Sequence, residues 1–358
     1  MNKPESLQIK LYQIYVLSFN KIHSMHKKGF LVDISILRSL SIIVVVFFHV
    51  YGMMFADHFP ATKELYHSTY FTFNNCWIIN VAMPTFVFIS GYLFYYQLEK
   101  GKYPTFIFLL KKKFTRILIP YFIFGLIMMA TTGNFHPFEL LHGGYWHLWF
   151  LPMIFWCFII GYFLKGIGNW NKWIIFALII AIFSISLAGK FLPRIIGLHN
   201  VTIWFGWFLL GEVVYLFKEE INATIRKMKI YWILLFLYII INLFKPVPYG
   251  KLTWYLILSQ VFIVLALWYY FHNINDRIKK LLQPLISFSR YSYGIYIFHN
   301  WLALYLISHT AQRLLPLADW AANHIILFPF CFFLVTMGIS FLLSWSLLKT
   351  KIGKFLIG

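Results

Sequence analysis

Long apolar runs broken by short polar stretches dominate the chain from residue 34 onward. Windows of about 20 apolar residues, long enough to cross a bilayer as a helix, centre near Val45, Phe86, Phe122, Phe155, Ile179, Phe208, Leu235, Ile263, Phe298 and Val335. Within the runs apolar residues are continuous rather than alternating, which predicts helices and argues against a β-barrel. The expected fold is an all-α polytopic membrane bundle of about ten transmembrane helices.

The polar positions inside those runs are the informative exceptions. Residues 34–51, ISILRSLSIIVVVFFHVY, carry Arg38 and His49, both costly in hydrocarbon. Eleven residues at about 100° each return to within roughly 20° of the same helix face, and a 1.5 Å rise separates the two by about 16 Å. One face of the first helix therefore carries a fixed cation near one end and a titratable imidazole deep inside.

Composition reinforces this picture: of 358 residues, 61% are hydrophobic and only 12% charged, far from the balance of a soluble domain. The net charge of +20 invites a nucleic-acid reading, but the distribution of lysine and arginine removes it. Residues 1–28, 100–116, 165–172, 218–229, 277–290 and 349–354 hold most of them and fall on one side of the alternating spans. The other side has only Lys63, Lys190, Arg194, Lys245, Lys251 and Arg313. This bias predicts both termini in the cytoplasm, with attraction to anionic lipid headgroups as the secondary effect and no nucleic-acid partner. Cys76, Cys157 and Cys331 lack metal-like spacing, so neither a structural disulfide nor a metal site is expected.

Residues 1–32 read as a cytoplasmic or interfacial segment, and Met25, followed by HKKGF, reads as an alternative start. The loop 55–76, with Asp57, His58, Glu64 and His67, reads as solvated or folded over the mouth of the first helix. In the second helix Pro84 and the Ser90-Gly91 pair permit a bend and a close helix approach. KKKFTRILIPYF brings Lys111, Lys112, Lys113 and Arg116 to the mouth of the third helix, just before Pro120. Gly143-Gly144 allows a tight turn ahead of Trp146, His147 and Trp149, which suit either an aromatic belt or a site. Glu212 is one of few carboxylates at membrane depth, and Ser292 and His299 are seven apart and share a face. Residues 349–358 read as a cytoplasmic tail.

Taken in order, these landmarks resemble the acyltransferase-3 family of integral membrane acyltransferases, many of which O-acylate cell-envelope sugars. The resemblance rests on Arg38 and His49 as Arg-x10-His, FVFISGYL, KFTRILIPY, HLWFLPMIFW, FGWFLLGEVVY and SYGIYIFH, and covers roughly residues 33–348. It implies a stand-alone membrane domain and a multi-pass location in a bacterial inner or plasma membrane. The family often places two arginines three apart before the third helix; here the first is Lys113, a point charge without the bidentate fork. The family's acidic residue commonly lies three before the first arginine, whereas Asp33 lies five before Arg38, which gives Asp33 little catalytic weight.

The implied reaction takes an acyl group, most plausibly acetyl, from cytoplasmic acyl-CoA to a hydroxyl of an envelope polysaccharide or glycolipid. No cofactor is held permanently; acetyl-CoA is the donor substrate. His49 is expected to be the base and Arg38 to share in catalysis and, with Lys113 and Arg116, to hold donor phosphates. His299, Ser292, Glu212, Tyr92, His147 and Trp149 are second-tier substrate-binding candidates, for each of which helix packing is an equally good account. The competing reading is a transporter or exporter of a sugar or small organic acid, since intramembrane Arg, His and Glu also serve coupled transport.

Overall fold

The computed structural model describes residues 31–53, 60–228, 230–244, 252–310 and 320–358. The expected N-terminal segment and its Met25 start, Asp57, His58, Lys245, Lys251 and Arg313 lie outside the described residues.

Every described element is helical, and each of the expected span centres falls within a helix. The long elements are α1 (Val32–Met53), α2 (Pro60–Thr72), α3 (Ile79–Glu99), α4 (Phe106–Lys113), α5 (Ile119–Thr132), α6 (Glu139–His142), α7 (Phe150–Phe163), α8 (Lys172–Leu187) and α9 (Val201–Leu216). They are followed by α10 (Lys218–Met228), α11 (Ile230–Phe244), α12 (Trp254–His272), α13 (Asp276–Leu281), α14 (Gln283–Phe288), α15 (Ser292–Thr310), α16 (Leu327–Leu347) and α17 (Lys351–Ile357). Among the described residues 6 helices are long and apolar enough to cross a membrane, or 7 if a pair bent by 84° between α9 and α10 counts as one span. The remaining difference from the expected ten includes α8 and α11, which are apolar but short. Large side chains such as Trp173, Phe176, Trp232, Phe236 and Leu342 are exposed, and in a bilayer they face lipid, where exposure of apolar surface carries no penalty.

Two expectations about connecting segments change. Residues 60–72 form a helix that runs through a π-helical turn, Phe73–Ile78, into α3, and Tyr66 Oη ties it to Ala321 O at 3.0 Å. The expected tail forms α17, N-capped by Thr350, whose Oγ1 accepts from Gly353 N at 2.9 Å.

The core forms around α1 and α3. α1 packs against α3, α12, α14, α15 and α16, which explains why its apolar face continues most of the way round. α3 and α9 cross in backbone contact: a Cβ on Gly91 would lie 1.9 Å from Phe208 O, and one on Gly211 would lie 2.0 Å from Phe88 O. Only glycine permits that approach. At the N-terminal end of α1, buried Asp33 meets His272 of α12 (Oδ2 to Nδ1, 2.8 Å), a structural tie between helices.

Candidate active site

α1 carries Arg38 and His49 on one face, and the packing of its neighbours gives each a different setting. Near His49, the rings of His147 and His299 converge: centroid distances are 5.0 Å for His49–His299, 5.0 Å for His147–His299 and 6.3 Å for His49–His147. His147 arrives on a 3-10 turn, Trp146–Trp149. Gly144 (φ 104°) and Trp146 (φ 45°) both adopt left-handed backbone there, which is natural for glycine and strained for tryptophan. His299 arrives on α15.

Hydrogen bonds fix how these rings present their nitrogens. A carbonyl can only accept, so His147 Nε2, 3.1 Å from Ile297 O, carries a proton. The same logic protonates His299 Nδ1, which lies 2.8 Å from Tyr296 O and 3.1 Å from Ile295 O. In each neutral ring the other nitrogen is a lone-pair acceptor. Those atoms, His147 Nδ1 and His299 Nε2, are buried and have no partner among the described residues. Tyr296 also donates its hydroxyl to His147 O, locking the turn to α15. The group therefore offers buried lone-pair nitrogens beside the cavity that His49 and His147 line. Among the described residues no group of His, Cys, Asp or Glu is placed to hold a metal ion.

His49 and His147 line a cavity of about 240 Å³ together with Met83, Trp149, Tyr296 and Asn300; His299 lies behind them. Met83 and Tyr296 also line a second cavity, of about 230 Å³, bounded by Arg38, Ser90 and Ser292. Arg38, Ser90, Phe150, Ser292 and Tyr293 in turn wall a third, of about 410 Å³, which adds Lys112, Lys113, Arg116 and Arg290. The walls are thus shared without interruption from a cluster of cations to the histidines.

The cationic end is built for an anion. No carboxylate side chain lines its cavity, and Arg38 has no ion-pair partner among the described residues. Lys113 holds its ammonium 3.3 Å from the centroid of the Phe158 ring, a cation–π contact that orients the group. A π-helical turn, Phe114–Leu118, separates α4 from α5. Pro120 has no N–H to give to Arg116 O four residues back; Tyr293 Oη donates to that carbonyl instead at 3.1 Å. Arg116 itself donates to Lys354 O (2.8 Å) and Gly358 O (2.6 Å), closing α17 over this end.

Among the remaining candidates, Ser292 lines the two cavities that contain Arg38, its hydroxyl donating to Ser289 O at 2.7 Å. Trp149 lines the histidine cavity. Tyr92 does not join them: it is buried against Tyr215, with ring centroids 5.1 Å apart. Glu212 is also apart, packed in α9 against Gly161. Residues that sequence reasoning passed over include Tyr293, Tyr296, Arg290 and Asn300. Tyr296 lies three residues before His299, a spacing that could have placed it on the same face.

A family model described as an acyltransferase domain matches residues 31–347. No curated protein and no solved structure matches the chain.

Proposed function

Because the chain belongs to the acyltransferase-3 family and is a membrane acyltransferase, we propose that it moves an acetyl group from cytoplasmic acetyl-CoA to a hydroxyl of a cell-envelope polysaccharide or glycolipid. The observation that carries this reading is the series of cavities with shared walls joining the Arg38 cations to His49 and His147. Coupled transport can also use intramembrane histidines; the acyltransferase family match favours reading them as groups that take a proton from a hydroxyl.

The lysine and arginine bias supports the Arg38 end as cytoplasmic. There Arg38, Lys113 and Arg116 hold the donor's phosphates, Arg38 through directional charge-assisted bonds. The thioester extends past Ser90 and Ser292 toward His49. His49 takes the proton of the acceptor hydroxyl as its oxygen bonds to the thioester carbonyl carbon. The C–S bond then breaks, and the imidazolium returns the proton to the departing thiolate. Asn300 borders the same cavity, and its side-chain amide is the polar group available to the developing oxyanion. The imidazole can also accept the acyl group first and pass it on; rapid quenching with labelled acetyl-CoA separates the routes by trapping, or not trapping, acetyl on the protein.

The test is transfer of labelled acetyl from acetyl-CoA to envelope glycan by the purified chain in liposomes. Wild type is expected to transfer and His49→Ala to stop while still inserted. Accumulation of a solute without acetyl turnover would establish transport in its place.

A further inference from the structure

Beyond the histidines, on the side away from Arg38, the series of cavities continues. Ile79 and Trp149 line both the histidine cavity and another of about 290 Å³, whose wall also includes Trp204, Asn80, Gln260, Lys190 and Asn200. Lys190 and Asn200 are shared in turn with an outermost cavity that holds Arg194.

The chemistry of this wall is distinctive. Trp149 and Trp204 sit with ring centroids 5.5 Å apart and planes tilted by 32°, an aromatic corner suited to the C–H face of a pyranose. Three amide side chains surround it, all nearly buried. Gln260 Nε2 donates to Asn80 Oδ1 at 3.3 Å, and no described protein group takes Gln260 Oε1. Asn200 Nδ2 reaches Gly143 O at 3.5 Å, and its Oδ1 has no described protein partner. The acceptor oxygens of Gln260 and Asn200 are the kind of partner that sugar hydroxyls require. Among the described residues no carboxylate lines the cavity, and the charged side chain on its wall is Lys190. Lys190 stands at the exposed rim and shares the outermost cavity with Arg194; partial desolvation and then that second cation lower its pKa, and an anion between the two would relieve their repulsion.

We propose that this cavity is the acceptor subsite and that it selects an acidic saccharide, the pyranose lying on Trp149 and Trp204 and its anionic group meeting Lys190. The proposal rests on the reading of the chain as an envelope-glycan acyltransferase and adds the substrate class. A saccharide here lies next to His49 through the shared Trp149 wall, so a hydroxyl can enter the histidine cavity while the anion stays at the outer rim.

Three small glycosides test it by calorimetric titration of the full chain in nanodiscs: methyl β-glucoside, methyl β-glucuronoside and methyl glucoside 6-phosphate. Wild type is expected to bind at least one acidic glycoside about tenfold more tightly than the neutral one, and whichever acid wins identifies carboxylate or phosphate as the anion. Lys190→Gln is expected to erase the preference, Lys190→Arg to retain it, and Trp204→Leu to weaken all three. Equal binding of neutral and acidic glycosides by wild type, no saturable binding, or a preference that survives Lys190→Gln overturns the proposal. If Lys190→Gln does not fold, the wild-type comparison decides alone. Acetyl-CoA consumption by the same preparation keeps the two readings apart. Consumption without glycoside discrimination overturns the subsite only, and discrimination without consumption overturns the acyl-transfer reading.

Discussion

His299 and Glu212 are equally deep, each 0% exposed and each with buried polar atoms that no described protein group satisfies, yet their surroundings differ completely. His299 lies behind His49 and His147, which open onto a cavity that continues toward both ends of the bundle. Glu212 sits beside the α3–α9 crossing, where backbones touch at Gly91 and Gly211 and where a Cβ on Gly161 would lie 2.7 Å from its Oε1. The cost of burying an ionisable group is similar in the two places. What separates them is space: chemistry needs room for a substrate beside the group, and only the histidines have it.

The strongest way to break that contrast is at His49. His49→Ala is expected to lower acetyl transfer about 10³-fold, within the range for removal of a general base, with insertion and melting temperature retained. Transfer at wild-type rate would remove the histidine cavity from the chemistry. Next comes Arg38→Ala, for which titration with acetyl-CoA should show a loss of affinity of about 10- to 100-fold as charge-assisted phosphate contacts disappear. An unchanged donor affinity would detach the cationic end from the donor.

On the sealed side the expected effects are on stability. Gly211→Ala forces a methyl into Phe88 O and should destabilise by about 1–3 kcal/mol, read as a lower melting temperature in detergent with the donor affinity of surviving folded protein retained. The smallest effect belongs to Glu212→Gln, a near-isosteric change that should leave turnover within about twofold, because Glu212 lines none of the cavities that join Arg38 to His49. A loss there as large as that of His49→Ala would erase the distinction between the two regions.

Much of the helical framework was legible because apolar length is a one-dimensional signal. Among the described residues the expected ten spans are not all matched: six helices, or seven with the bent α9–α10 pair, are long and apolar enough, while α8 and α11 are apolar but short. Arg38 and His49 were legible for a related reason: each is expensive in hydrocarbon, and helical periodicity alone puts them on one face. The grouping of His147 and His299 around His49 could not be read the same way, since it depends on a strained turn at Trp146 and on hydrogen bonds to Ile297 and Tyr296 carbonyls. Asn80, Gln260 and Lys190 carried no signal at all. Amides and a loop lysine are ordinary in sequence, and they become a site only when α3, α12 and the segment before α9 meet.

That Arg38 and His49 share a single unbroken helix makes α1 a register as well as a scaffold. One alanine inserted between them would swing one residue by about 100° relative to the other while lengthening the span by only about 1.5 Å, so the two groups would lose their common face although neither had been mutated. Four inserted residues would bring the faces back to within about 40° but set the groups about 6 Å farther apart. If Arg38 holds the donor and His49 takes the proton, as proposed above, the pitch of one helix sets the distance between them and with it the length of donor the site accepts.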